Sequence, residues 1–263
     1  MQSVVQAKRK NQAAGVPIPM PWQQLVQSGA VFRKGQLGLV AAGPGTGKSA
    51  MLQTLAQVGD GNGYKIPALY VSADTDANTF FKRAAAIATG YRMGDIEHMI
   101  ASGADSGLET IVAEDTKHMR ANFQSSLSDQ DLLDEIDAYA EVYGEYPELI
   151  VIDNLTNIYV EGYDDERQGT MATCTLLHDI ARQTNSAIVA LHHVTGIYEG
   201  EAKPVPLSGL VNKVSKVPEV IFTLHRNGNT LGVSVVKNRN GRANASGVDV
   251  ISLPIDLERM RIG

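Results

Sequence analysis

Ala42-Gly43-Pro44-Gly45-Thr46-Gly47-Lys48-Ser49 follows a run of apolar residues, Leu37–Ala41, and opens a helix-like segment, Ser49–Val58. Glycines let backbone N–H groups curl round a phosphate with no Cβ in the way, and a helix N-terminus adds the positive end of its dipole. In this arrangement Lys48 reaches the β- and γ-phosphates of a nucleotide, and the Ser49 hydroxyl holds Mg²⁺. The strict pattern has Gly where Ala42 stands, and alanine is a common variant there. A strand before and a helix after separate this motif from a Gly-rich turn with an incidental lysine. The nucleotide-binding set expected from the motif is Gly43, Pro44, Gly45, Thr46, Gly47, Lys48, Ser49 and Ala50.

Outward from this loop, apolar runs recur at Ala68–Ser72, Leu149–Ile152, Ala187–Leu191 and Val220–Leu224. Strands that are apolar almost throughout are buried on both faces, as in a parallel sheet covered by helices. Helix-like segments lie between them at Asn78–Thr89, Asp129–Val142 and Thr170–Gln183, and Ser128 with Asp131 forms a capping signal for the second of these. Two further runs, Gly232–Val236 and Val248–Leu253, flank a polar turn and read as an antiparallel hairpin closing the sheet. The prediction is an α/β phosphate-loop NTPase core over residues 21–263, with a mostly parallel central sheet flanked by helices and a C-terminal antiparallel hairpin. Residues 1–20 read as an N-terminal arm or linker helix.

A nucleotide hydrolase of this kind needs a second carboxylate at a neighbouring strand end. Leu149-Ile150-Val151-Ile152-Asp153 supplies one, and Asp153 is placed to hold Mg²⁺ with Ser49. Both strand ends meet at one crevice in an open α/β sheet. Hydrolysis also requires a group to orient or deprotonate the attacking water. Tyr70-Val71-Ser72-Ala73-Asp74-Thr75-Asp76 ends another strand with two carboxylates; Asp74 is the candidate base and Asp76 the candidate cap of the next helix.

The 263 residues carry a net charge of −6. That total is a sum of opposed regions: residues 129–166 hold thirteen acidic side chains and no Lys or Arg, and the remainder of the chain is +7. Residues 201–242 are +5. A naive reading of the total argues against a nucleic-acid partner, and the distribution removes that argument. The composition excludes disordered and fibrous classes. A single cysteine, Cys174, excludes an internal disulfide framework and suits a reducing, cytoplasmic compartment. There is no apolar run of about 18 residues, so no membrane span is expected, and Lys8-Arg9-Lys10 near the start is not followed by the apolar stretch of a signal peptide. Cys174 and Trp22 show no evident chemistry.

With these pieces in place, residues 17–253 resemble the RecA-like core of DnaB-type hexameric replicative helicases. Family members carry Ser-Leu-Glu-Met after the second strand, where this chain has Ser72-Ala73-Asp74-Thr75, so Asp74 stands one methylene short of the family's catalytic Glu. Ala190-Leu191-His192-His193 matches the strand that ends in a γ-phosphate sensor, with His193 on the sensor position. Lys237-Asn238-Arg239-Asn240-Gly241 matches Lys-x-Arg-Asn-Gly, and the resemblance implies that Lys237 and Arg239 reach a neighbouring subunit's nucleotide, Arg239 as the arginine finger. It further implies ATP and Mg²⁺ as cofactors, single-stranded DNA as partner, and a homo-oligomer, hexameric ring or helical filament, with active sites at subunit interfaces. The segment after His193 corresponds to a central-channel loop, which makes Lys203, Lys213 and Lys216 candidate phosphate contacts. A second channel-facing loop corresponds to Asn157–Gly169, but here it carries Asp164-Asp165-Glu166. Only about 20 residues precede the core, so the collar domain of replicative helicases is not expected here, nor are the primase- and loader-binding roles that go with it.

These readings lead to an oligomeric, ATP-driven motor on single-stranded DNA, helicase-like, in replication or recombination. The nearest competitor is an ATP-gated DNA-binding recombination or annealing protein of the RecA and RadA type, favoured by Asp74 in place of Glu. A Mg²⁺-dependent structure-specific nuclease using Asp74, Asp76 and Asp153, and a signalling ATPase of the KaiC type, are lesser alternatives.

Overall fold

The five apolar runs form the middle of one sheet, where every residue has a face to fill. The computed structural model describes residues 15–105, 107–200 and 202–263. The first half of the chain forms α1 (Gln23–Gln27), β1 (Leu37–Ala41), α2 (Lys48–Val58), β2 (Ala68–Ser72), α3 (Ala77–Thr89), α4 (Met93–Ser102), α5 (Leu108–Asp115) and β3 (Met119–Asn122). Then follow β4 (Leu127–Ser128), α6 (Asp129–Tyr143), β5 (Leu149–Asp153), β6 (Ile158–Tyr159), α7 (Glu166–Thr184) and β7 (Ala187–His192). The chain continues through β8 (Val220–Asn227), β9 (Thr230–Asn238), β10 (Val250–Asp256) and β11 (Arg261–Ile262).

The main sheet has the order β11-β10-β9-β8-β1-β7-β5-β2-β3. β1 lies between β7 and β8 and is parallel to both. β5, β2 and β3 continue the parallel pairing on one side, and β9 and β10 add antiparallel strands on the other. Alternate residues of β1 enter different cores: Val40 packs with Leu52, Leu55, Tyr70 and Phe222, whereas Leu37 and Leu39 pack with Ile150, Leu177 and Ile221. Two separate cores on the two faces explain why the strand is apolar without alternation.

The expected hairpin is present as the β9–β10 pair, with Ser234 opposite Val250. A tighter hairpin, β8–β9, precedes it, because Gly228 (φ +58°) turns the chain beside Asn229. Ser128 and Asp131 form the reciprocal cap of α6. α7 begins at Glu166, one turn before the expected start. Asp165 caps it by accepting from the Gln168 N–H, and Gly169 in that first turn hides the pattern in sequence. β3, with Arg120 and Asn122 among its four residues, is a half-solvated strand next to β2 and lacks the apolar signature of the inner strands.

The arm expected over residues 1–20, with Lys8, Arg9 and Lys10, lies outside the described residues as far as residue 14. From there Pro17 bridges Arg33, and Ile18 and Met20 are buried. Among the described residues no helix is long and apolar enough to cross a membrane. Cys174 packs inside α7, and burial pushes its thiol pKa up to about 12.

Trp22 joins the two ends of the described chain. It is 1% exposed, and its indole N–H donates to the Ile262 carbonyl at 2.8 Å. Replacing a buried aromatic by alanine costs about 3–5 kcal/mol. Trp22→Ala is therefore expected to lower the unfolding free energy by about that amount in urea titration, with Trp22→Phe losing less.

Candidate nucleotide site at the carboxyl edge of the sheet

Ala42–Ser49 leaves β1 and enters α2 through two left-handed glycines, Gly45 (φ +68°) and Gly47 (φ +114°). At Gly47 a Cβ would also come within 3.0 Å of Ile255 Cδ1, so both conformation and space call for glycine. The Thr46 hydroxyl donates to the Gly43 carbonyl at 2.9 Å, bracing the curl of the loop. The Lys48 ammonium donates to the carbonyls of Ala42 (2.7 Å) and Gly43 (3.1 Å). Its pKa is lowered by burial, against the opposing pull of the carboxylates of Asp153, Asp74 and Glu199.

Asp153 ends β5 and is 3% exposed. The Tyr70 hydroxyl, on the adjacent strand β2, donates to its Oδ2 at 3.1 Å, and the Ser49 hydroxyl donates to the same carboxylate. Burial raises the pKa of Asp153, and the bonds from Ser49 and Tyr70 pull it back. A buried carboxylate beside a hydroxyl, oxygen donors only, suits a hard divalent cation such as Mg²⁺. Asp153 also fixes its neighbour: its carbonyl accepts from Ala73 N–H (2.7 Å) and Asp74 N–H (3.4 Å), docking the end of β2 onto the end of β5. Asp74 is left exposed at the rim. Asp76 is occupied otherwise, accepting from Asn78 N–H and Thr79 N–H as the cap of α3.

The two histidines after β7 part company. His192 is wholly buried and its Nε2 meets the Val211 carbonyl at 2.9 Å, a packing role. His193 turns to the site and its Nε2 contacts the Asn154 side-chain amide. Burial and then the Lys48 charge lower its pKa, opposed by Asp74, Glu199 and Asp153. Glu199 belongs to a turn that lies over the phosphate loop, its Cα 3.1 Å from where a Cβ on Gly43 would stand.

Beside the loop opens a cleft of about 330 Å³, walled by Gly45, Gly47 and the start of α2 on one side and by Arg83, Met93, Leu257 and Met260 on the other. Phosphates at the glycine loop would leave a base against the thioethers and the leucine, an apolar wall fit for a flat ring. Tyr70, Asn154, Met93, Leu257 and Met260 were not singled out by sequence. Tyr70 carries a faint signal, a phenol inside an otherwise aliphatic strand. Leu257 and Met260 carry none, because they are delivered by β10, which runs parallel to β1 with two strands between them.

Lys237 and Arg239 are not brought to this cleft. In the β8–β9 pair Ile221 stands opposite Lys237, while Val220 stands beside Gly38, so both cations lie at the amino edge of β1, across the sheet from the phosphate loop. Lys237 Nζ donates to the carbonyls of Ser215 (2.6 Å) and Lys216 (3.2 Å). Arg239 donates to Glu219 Oε1 (3.3 Å) and the Lys216 carbonyl (2.9 Å). Lys203, Lys213 and Lys216 are exposed along the segment between β7 and β8. In the Asn157–Gly169 loop Asp165 is a helix cap and Glu166 accepts from the Asn212 amide at 3.2 Å, so two of its three consecutive acids have structural partners.

Because Lys48 holds the His193 pKa down, Lys48→Met is expected to move the His193 titration toward the ordinary histidine value. Proton NMR of the ring resonances measures this, and His225, whose pKa is lowered by burial alone, serves as the internal reference.

A family model described as AAA domain matches residues 8–195. The chain is 39% identical over 259 residues to the Gene 65 protein of Mycobacterium phage L5, covering 95% of this chain and 94% of that one. It is 37% identical over 233 residues to the Gene 65 protein of Mycobacterium phage D29, covering 85% and 97%. Among solved structures it superposes on a DnaB-like replicative helicase, described with its interactions with primase, at a TM-score of 0.81 and 17% identity, covering 99% of this chain and 67% of that one. A second solved structure, an isolated ATPase domain, gives a TM-score of 0.81 and 16% identity, covering 99% and 95%. The fold is that of DnaB-like helicase ATPase domains.

Proposed function

The chain belongs to the AAA-domain family, and from that premise we propose that it is an oligomeric ATP hydrolase, of helicase type, that moves on single-stranded DNA. The observation that carries the reading is the division of the sheet. Lys48, Ser49, Asp74, Asp153 and His193 gather at its carboxyl edge, and Lys237 and Arg239 stand at its amino edge.

In this reading Gly43–Ala50 cradle the polyphosphate by backbone N–H groups and Lys48 exchanges its carbonyl partners for phosphate oxygens. Ser49 and Asp153 hold Mg²⁺, which when bound neutralises phosphate charge. Asp74 at the rim orients and deprotonates the attacking water, whose oxygen bonds to the terminal phosphorus as the bond to the bridging oxygen breaks. His193, kept neutral by burial and Lys48, contacts the terminal phosphate and transmits its presence to the segment carrying Lys203, Lys213 and Lys216. Those three lysines meet DNA phosphates, with a salt-dependent contribution.

A cation at the edge opposite its own nucleotide serves another subunit's nucleotide when copies pack head to tail, which is how Lys237 and Arg239 enter the reaction. That arrangement makes the active assembly a ring or a helical filament of the unit 21–263, working in a reducing cytoplasm. The ATP-gated reading of the RecA and RadA type is favoured by one observation, the short and exposed Asp74, and it differs in predicting slow hydrolysis with ATP-dependent DNA affinity. Asp76 is committed to the cap of α3, which removes one of the three carboxylates a nuclease reading requires.

ATP hydrolysis measured with and without single-stranded DNA tests the proposal. Stimulation by DNA is expected, with loss of at least ~100-fold in Lys48→Ala. An Arg239→Ala chain is expected to bind nucleotide normally and lose about 10³-fold in kcat. An unchanged rate in Lys48→Ala overturns the ATPase assignment; equal rates with and without DNA overturn the motor.

A further inference from the structure

Glu219 is 7% exposed and sits where three elements meet at the amino edge of the sheet. Its Oε2 accepts from the Leu37 N–H, the first residue of β1, at 3.0 Å. Its Oε1 lies 3.3 Å from Arg239 Nη1 and 3.2 Å from Nδ1 of His178 on α7. The backbone repeats the connection: Glu219 N–H donates to the Leu37 carbonyl, and Arg239 N–H donates to the Glu219 carbonyl, each at 2.9 Å. One buried carboxylate therefore divides its two oxygens between the strand that carries the phosphate loop and the guanidinium at the opposite edge. A carboxylate needed only to complete the β1–β8 ladder would be satisfied by Leu37; the second oxygen faces Arg239 and His178 together.

We propose that Glu219 is the positioning residue for Arg239, and that through Leu37 it ties the placement of that guanidinium to the strand bearing the same chain's phosphate loop. This rests on the reading of Arg239 as the cation supplied to a neighbouring subunit's nucleotide. An arginine side chain on a strand end has many rotamers, and catalysis in trans requires one of them. The Lys216 carbonyl holds Nη2 at 2.9 Å and Glu219 holds Nη1. Together they leave the guanidinium half exposed, fixed at its base and open toward a partner. Because β1 ends in the phosphate loop, a small shift of that strand on nucleotide binding moves Leu37, Glu219 and Arg239 as one body. One chain's nucleotide state is thereby presented to the next chain's site.

Glu219→Gln is the test. Glutamine keeps a carbonyl oxygen for the Leu37 N–H and presents an amide in place of the charge facing Arg239. ATPase kinetics with single-stranded DNA are compared for the wild type, Glu219→Gln, Arg239→Ala and the double variant, with affinity for a fluorescent ATP analogue and thermal unfolding measured on each. The expected result is a fall in kcat of ~10-fold or more in Glu219→Gln with analogue affinity unchanged, and less than ~2-fold further loss when it is added to Arg239→Ala. Glu219→Asp, which keeps the charge but shortens the reach, is expected to lie between, and it replaces Glu219→Gln in the cycle if the latter does not fold. A multiplicative loss in the double variant, or wild-type kcat in a folded Glu219 variant, overturns the positioning role. An unchanged rate in Arg239→Ala overturns instead the reading of Arg239 on which the proposal stands.

Discussion

The parallel pairing of β1 with β7 and of β5 with β2 is the constraint from which the rest of the molecule follows. Parallel strands release their chains at the same edge, so the phosphate loop, Asp153, Asp74 and His193 are neighbours although 25 to 145 residues of chain separate them from Lys48 or Ser49. Burial of the central strands also makes that edge a place of low dielectric. An isolated carboxylate there costs several kcal/mol, and Asp153 persists because Ser49 and Tyr70 both donate to it. The bond from Tyr70 ties a side chain on β2 to the functional end of β5, which is structural support and site preparation in one contact.

The two edges of the sheet have different chemistry for a topological reason. β8 is parallel to β1, but the Gly228 turn reverses the chain, so β9 returns its polar C-terminal residues to the amino edge. β10 reverses again and brings Leu257 to the nucleotide cleft. One pair of reversals thus supplies the cations of one edge and the apolar wall of the other. The segment between β7 and β8 spans both, with Glu199 over the phosphate loop and the Ser215 and Lys216 carbonyls on Lys237 and Arg239.

Legibility in sequence followed the range of the cause. The phosphate loop is eight consecutive residues and its geometry is local, so it could be read directly. The inner strands could be read because burial on both faces leaves an unbroken apolar run, and Asp153 because it ends one. The thirteen acids of residues 129–166 looked like one block. In space they separate: Asp131 and Asp165 cap helices, Glu148 pairs with Lys34 at 2.8 Å, Glu166 receives Asn212, and Asp153 faces Ser49. The strand β3 escaped because its residues are half-solvated, and α4 and α5 because their exposed faces dilute the period. Met93, Leu257 and Met260 escaped because strand order alone makes them neighbours. His192 and His193 are adjacent and chemically identical; composition does not separate them, the resemblance singled out His193, and the Val211 carbonyl holds His192 in the packing.

The apolar wall of the cleft has a consequence for the order in which the protein is made. The glycine loop and its lysine are synthesised early, yet Leu257 and Met260, and the Ile262 carbonyl that receives Trp22, come from the far end of the described chain. A nascent chain holds the residues of the phosphate loop long before it holds those of the wall. On the proposed reading, a nucleotide's base meets its wall only once the chain has been made through Met260.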